Sequence, residues 1–367
     1  MKILLWLALV AAIVATVAVP AEARKKSGTQ PKPAAQPQRN PAEIEAATRL
    51  QVFLDRANFS SGAINGHYGE FTIKALALYR QSRGEQPPLA PAKPDTAPDI
   101  SGFDLTGVGP AIVPYTVADA DLKNIGPLPS AVAAQAKLKF LPYRDAAEAI
   151  AEKFHCEVRF LEHLNPGKTK TIKAGDQLMV PNVEPFELAG VKDLKPGSEV
   201  GAPAANDLPD EANPGNDKPV PATTEKSGGP ERPAVSVKID TKTNMLGVFE
   251  ADKLVAAYPV TIGSAPTTSP IGEWKVSRIT KLPTFRYDKQ MLKHGERSGN
   301  FHILPPGPNS QVGVIWIALN KKGIGLHGTN EPETIGRSVS HGCVRLANWD
   351  VVRLAQKVKP GVPVSIH

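Results

Sequence analysis

Apolar positions along this chain follow three different rhythms. Residues 3–19 form an apolar run after Lys2. Between residues 41 and 83 the spacing is helical: Leu50, Phe53, Leu54 and Ala57 share one face, and Ile73, Leu76 and Ala77 share another. The turn-rich run Asn65-Gly66-His67-Tyr68-Gly69 separates the two, and Thr72 is the expected start of the second helix. Helical spacing returns at Ala147, Ile150, Ala151 and Phe154, and a further helix is expected from Phe160 to an Asn165-Pro166-Gly167 stop. Short strands flank this pair, one around Tyr115 and one at Leu178-Met179-Val180. After residue 234 the rhythm becomes alternation, with Val235, Val237 and Ile239, then Leu246 and Val248, then Val255, Tyr258, Val260 and Ile262. Residues 312–319 and 324–326 continue as strands, one helix is expected over 349–357, and residues 362–366 close the pattern as a strand. The C-terminal third therefore predicts a mostly-β domain with one late helix.

Proline punctuates the gaps. The 36 prolines are not periodic, which excludes a collagen-like chain and marks linkers. The predicted organisation is an export signal at 1–23, an unstructured stretch at 24–40, a helical domain at 41–84 and a linker at 85–112. A β-α-α-β module at 113–183, a Pro-rich linker at 184–233 and the β domain at 234–367 follow. Ala21-Glu22-Ala23 offers a small-x-small cleavage step after the apolar run. Arg24, Lys25 and Lys26 follow that step, so an uncleaved N-terminal membrane anchor is the alternative. Both readings put the rest of the chain outside the cytoplasm, in the periplasm or cell envelope.

The formal charge of +7 is uneven. Residues 235–367 hold 17 Lys and Arg against 9 Asp and Glu, a net of +8. Such a domain suits an anionic, carboxylate-rich partner. No nucleic-acid recognition motif accompanies the charge. Cys156 and Cys343 are the two cysteines. A disulfide is the default for an even pair in an exported chain, but they fall in different predicted domains. Cys156 reads as a buried small hydrophobe in a helical pattern.

Cys343 sits in Ser340-His341-Gly342-Cys343-Val344-Arg345, sixteen residues after His327 of the Leu326-His327-Gly328 step. A cysteine nucleophile needs a neighbouring base, and an imidazole supplies one. Gly342 allows a sharp backbone turn whose N–H groups can hold an oxyanion. His341 is an alternative base, and His327, His341 and Cys343 together are an alternative zinc set. Asn348 is expected to cap the late helix. The Gly/Pro-broken stretch 281–312 reads either as a lid or as ordinary loop.

These residues resemble the signature of the L,D-transpeptidase (YkuD-type) catalytic domain: His-Gly, about a dozen residues, then Ser-His-Gly-Cys-Val-Arg. Residues 268–274, Thr-Ser-Pro-Ile-Gly-Glu-Trp, are similar to that family's TP-x-G-x-aromatic turn. The resemblance implies a β-sandwich-like catalytic domain. In it Cys343 is the nucleophile, His327 the general base and acid, and Gly328 the backbone group that orients His327. The N–H groups of His341, Gly342 and Cys343 form the oxyanion hole, Ser340 supports the turn, and Arg345 and Arg337 bind stem-peptide carboxylates unless they serve structural ion pairs. It implies no cofactor and no metal. The implied reaction is acyl transfer from a peptidoglycan tetrapeptide stem through a thioester, with release of D-alanine. The acceptor is left open among a second stem (a 3-3 cross-link), a lipoprotein lysine, a free D-amino acid and water. An L,D-carboxypeptidase or amidase of the same fold and a catalytically silent wall-binding scaffold are the rivals.

The N-terminal segments carry weaker resemblances. Residues 41–84 resemble a three-helix peptidoglycan-binding domain, with Asn65 where that family has Asp. Residues 113–183 resemble a glycan-binding LysM module in the Leu164-Asn165-Pro166 step and the Gly175-to-Pro181 ending. An insertion of roughly residues 119–141 between first strand and first helix departs from that pattern. Oligomeric state is not encoded in any of these motifs.

Overall fold

Helix α1 (Pro41–Arg56) begins where the sequence supplies both halves of a start signal. Asn40 Oδ1 accepts from the Ala42 N–H at 3.0 Å, and Pro41 at the first position has no donor to lose. The computed structural model describes residues 40–85, 96–194, 234–263, 268–337 and 342–367. The residues expected to form the export signal and the stretch after it, most of the expected Pro-rich linker, Ser340 and His341 lie outside the described residues.

Helix α2 (Glu70–Ser82) starts two residues before the expected Thr72. Thr72 is buried in the first turn of α2, where its hydroxyl accepts from Gln51 Nε2 at 3.1 Å and donates to the His67 carbonyl at 3.1 Å. Two α-helices, not the expected three, form in the described part of residues 40–111.

Strands β1 (Ile112–Thr116) and β2 (Gln177–Pro181) pair antiparallel over five positions. Between them lie the single turn α3 (Val132–Gln135), then α4 (Ala146–Lys153) and α5 (Val158–Leu164). Asp145 caps α4 by accepting from the Glu148 N–H at 2.9 Å. Asn165 ties the end of α5 to β2 through paired bonds with Met179, 2.8 Å to its carbonyl and 2.7 Å from its N–H. That explains an Asn before the proline.

The C-terminal domain carries β3 (Val235–Asp240), β4 (Met245–Glu250), β5 (Lys253–Pro259) and β6 (Gly272–Lys281). A hairpin of β7 (Phe285–Tyr287) and β8 (His302–Leu304) follows, with α6 (Lys289–His294) between its arms. Then come β9 (Ile315–Leu319), β10 (Gly325–His327), β11 (Val344–Arg345), α7 (Asn348–Lys357) and β12 (Pro363–Ile366). Helix α6 falls inside the expected loop. Asp288 creates it by accepting from the N–H groups of Gln290 and Met291.

Eight of these strands form one sheet in the order β11-β10-β9-β6-β12-β3-β4-β5. Its two ends meet. Thr261, just beyond β5, exchanges backbone bonds of 3.0 and 2.9 Å with Arg345 of β11. The expected sandwich is thus a single sheet curled on itself, which removes both edges near the site. The inner face and α7 share a core that includes Ile239, Leu246, Val248, Ile279, Ile317, Leu326, Val344, Trp349 and Leu354.

Residues 40–367 form one compact unit. Leu50, Leu54, Phe59 and Leu76 pack with Met245, Leu254 and Ala257 of the sheet. Buried Asp55 of α1 accepts from both Arg353 amino groups of α7, at 3.1 and 2.8 Å, and lies 3.0 Å from His155 Nδ1. The sequence reads as modules on tethers, whereas the described segments are welded through a charged contact that neither local pattern announces.

Candidate active site

The site is built where β10 and β11 run parallel. Leu326 stands opposite Val344, and His327 opposite Arg345. Side chains alternate across a strand. Leu326 and Val344 therefore enter the core beneath the sheet, while His327, Arg345 and Cys343 share the other face. Cys343 is two residues before the partner of His327, just ahead of β11. Both side chains are 0% exposed.

The imidazole is held from two sides. His327 Nδ1 lies 2.6 Å from the Gly328 carbonyl oxygen. A carbonyl only accepts, so Nδ1 carries the proton and Nε2 is the basic nitrogen of the neutral ring. The Trp316 indole stacks on the imidazole at 5.2 Å and 17°. Trp316 and Cys343 belong to one buried apolar cluster. The same indole thus stacks on the ring and belongs to the cluster that holds the thiol.

Gly328 can turn its carbonyl toward the ring because nothing stands on its α-carbon. A Cβ there would lie 2.1 Å from Asn348 Oδ1, and one on Gly313 would meet the same oxygen at 2.1 Å. Asn348 Oδ1 accepts from the Val314 N–H at 3.1 Å, and Asn348 Nδ2 donates to Glu152 at 2.8 Å. Asn348 is accordingly not the cap of α7. Ala347 occupies that position, and Asn348 turns inward as a strut behind Gly328.

Gly342 is buried, with φ of +112°, a backbone shape that disfavours any side chain. It directly precedes Cys343, whose Sγ lies 3.4 Å from the Gly323 carbonyl oxygen. Arg345 is half-buried beside His327. Arg337 is exposed and lines a separate cleft with Glu157, Glu333, Ser61 and the start of α2. The structure therefore brings together His327, Gly328, Gly342, Cys343 and Arg345, and sets Arg337 apart.

Cys156 belongs to a different apolar cluster, with Ile64 and Phe154. Burial pushes its thiol far above the ordinary value, which suits an inert side chain. Trp316, Gly313 and Asn348 are contributors that the motif does not spell. Only the Gly313-Val314-Ile315-Trp316 run leading into β9 marks the first two, and it reads equally as strand.

Residues 234–366 match the family described as the YkuD L,D-transpeptidase catalytic domain. The chain is similar to the YkuD protein of Bacillus licheniformis, 33% identical over 132 residues, covering 36% of this chain and 64% of that one. It is also similar to the YqjB protein of Bacillus subtilis, 32% identical over 135 residues, covering 35% of this chain and 69% of that one. Both relatives carry the name L,D-transpeptidase. Among solved structures it resembles L,D-transpeptidase 3 from Mycobacterium tuberculosis in complex with a faropenem-derived adduct. That match is 16% identical, covers 37% of this chain and 60% of that chain, and has a TM-score of 0.31. The chain spans slightly less than two thirds of the first relative's length.

Proposed function

Because this chain belongs to the L,D-transpeptidase family, we propose that it is an exported cysteine acyltransferase that remodels peptidoglycan stem peptides. One observation carries the reading: Cys343 and His327 share a sheet face, with His327 Nδ1 committed to the Gly328 carbonyl. That bond directs Nε2 to the proton transfers.

The Cys343 thiol gives its proton to His327 Nε2. The thiolate attacks the carbonyl of the L,D-peptide bond in a tetrapeptide stem, and the N–H groups of His341, Gly342 and Cys343 stabilise the oxyanion. Ser340 supports that turn. Collapse breaks the C–N bond, His327 returns the proton to the leaving amine, and D-alanine departs. A thioester on Cys343 remains. An acceptor amine then gives its proton to His327 and attacks the thioester, which regenerates the thiol. Arg345, beside His327, binds a stem carboxylate. Arg337 engages a more distant part of the stem, since it lines a different cleft.

The acceptor is a second stem, a lipoprotein lysine or a free D-amino acid. Residues 41–84 and 113–183 hold the enzyme against wall glycan, and the N-terminal apolar run directs the chain to the periplasm or cell envelope. Incubating the full chain with defined tetrapeptide muropeptides tests the reading. Intact mass should show an acyl adduct on Cys343, lost in Cys343→Ala together with D-alanine release. Release of D-alanine with no joined product would assign the acyl group to water, making the enzyme a carboxypeptidase. Full release in Cys343→Ala would end the proposal.

A further inference from the structure

A part of the chain that belongs to the β-α-α-β module packs into the apolar cluster that holds Cys343. The buried cluster around Cys343 consists of Phe285, Leu304, Val312, Trp316 and one residue from far upstream, Leu141, itself 0% exposed. Leu128, Val132, Ala136 and Leu138 pack on the outside of that cluster. All five upstream residues lie in or beside the stretch that departs from the LysM-like pattern.

Residues 124–143 form a loop closed at its base. The Tyr143 N–H donates to the Asn124 carbonyl at 2.9 Å, and the Gly126 N–H to the Tyr143 carbonyl at 3.0 Å. Such a base lets the stretch move as one body. Its far end is clasped to the catalytic domain. The Leu141 N–H donates to the Pro306 carbonyl at 2.8 Å, and its carbonyl accepts from the Asn309 N–H at 3.4 Å. Asn309 Nδ2 donates to the Pro142 carbonyl at 2.7 Å, and Asn309 Oδ1 accepts from Arg144 at 3.2 Å. The fit at Gly307 is close: a Cβ there would stand 2.2 Å from the Leu141 carbonyl oxygen.

From this we infer that residues 124–143 are an autoinhibitory strap, which fills the Cys343 chamber with Leu141 and must lift before an acyl donor can enter. The inference rests on Cys343 as the acyl carrier. A tetrapeptide cannot reach a thiol and an imidazole that are both wholly buried. Most residues of the strap are half-buried or exposed, with Leu141 and Tyr143 its buried anchors. Its grip is therefore local and releasable, unlike that of the strands beneath it.

The strap can be read without any catalysis. The rate of Cys343 alkylation by iodoacetamide, followed by intact mass on the full chain, reports access to the chamber. Asn309→Ala removes the clasp without entering the chamber, and Leu141→Ala removes the plug. Both should raise the alkylation rate at least about tenfold over the parent at the same pH. D-alanine release from muropeptides should rise with it in Asn309→Ala. Hydrogen exchange gives a second readout that does not depend on the variants. In the parent, amides of 124–143 should exchange faster than those of β9, and faster still in Asn309→Ala. Equal alkylation in parent and folded variants, or exchange in 124–143 as slow as in β9, overturns the strap. Alkylation that follows the strap while Cys343→Ala stays active would keep the strap and reject the proposed chemistry.

Discussion

Glu152 is a carboxylate buried at the root of the strap, and replacing it by Gln should change how stability depends on pH. Glu152 Oε1 accepts from Asn348 Nδ2 at 2.8 Å, and Oε2 accepts from the Tyr143 hydroxyl. Burial outweighs both bonds and pushes its carboxyl from the ordinary 4.5 up to about 7. Between those values the folded chain holds a proton that the unfolded chain has lost, so stability falls as pH rises. The favourable contribution is complete below about 4.5 and gone above about 7. A shift of about 2.5 units at about 1.36 kcal/mol each amounts to roughly 3 kcal/mol. Gln has the same shape, can accept from Asn348 and can donate to Tyr143, and does not titrate. Asp350, which burial also pushes up to about 7, contributes the same slope to both proteins and cancels in the comparison. Urea unfolding at about pH 4 and about pH 8.5, followed by tryptophan fluorescence, measures the difference directly. The parent should lose roughly 3 kcal/mol relative to Glu152→Gln between those two conditions. Parallel pH profiles, within about 0.5 kcal/mol, would refute the idea that this carboxyl is neutral in the folded chain below pH 7.

Three further outcomes follow from named contacts. Asp55→Ala leaves Arg353 and His155 without their buried partner, so it should cost about 3–5 kcal/mol and lower the melting temperature; a change under about 1 kcal/mol would mean the charge is not needed. Burial raises the Asp55 carboxyl, but the charges of His155 and then Arg353 outweigh burial and hold it well below the carboxylate range. Its contribution is therefore present at neutral pH and lost only in strong acid. Gly328→Ala puts a Cβ on Asn348 Oδ1 and turns the carbonyl away from His327, so kcat should fall about 100-fold while the circular dichroism spectrum is kept; unchanged kcat would remove Gly328 from the positioning role. Thiol counting with an aromatic disulfide at about pH 8 should label Cys343 slowly and Cys156 only after urea, because burial raises the Cys156 thiol; labelling of Cys156 in the folded chain would contradict its burial.

Much of the C-terminal domain was legible because its information is local. Alternation located β3, β4 and β5, and the late helix was found within a residue. His327 ends one strand and Cys343 directly precedes the strand paired with it. The rest was hidden for physical reasons. Asn348 looks like a helix cap because Asn before a helical run usually is one. Its inward turn is dictated by Glu152 and by the bare α-carbons of Gly313 and Gly328, which no local pattern reveals. Helix α6 depends on one side chain, Asp288, inside a stretch that composition marks as loop. Leu141 sits in a segment that read only as an insertion, because its reason for being apolar lies on another part of the fold. The weld between Asp55 and Arg353 pairs residues from opposite parts of the chain, and periodicity carries no information about such contacts.

Strand β12 follows every other strand in the sequence, yet it lies between β6 and β3 in the middle of the sheet. Its pairing with β3 is parallel and spans most of the domain. The sheet therefore has a gap at its centre until residues 363–366 arrive, and the halves that carry β11 and β5 cannot curl onto each other before then. Long-range pairing of this kind is slow and comes late in folding. Cys343 and His327 are thus brought together only after the whole domain has emerged, and a partly synthesised chain has not yet assembled the proposed site.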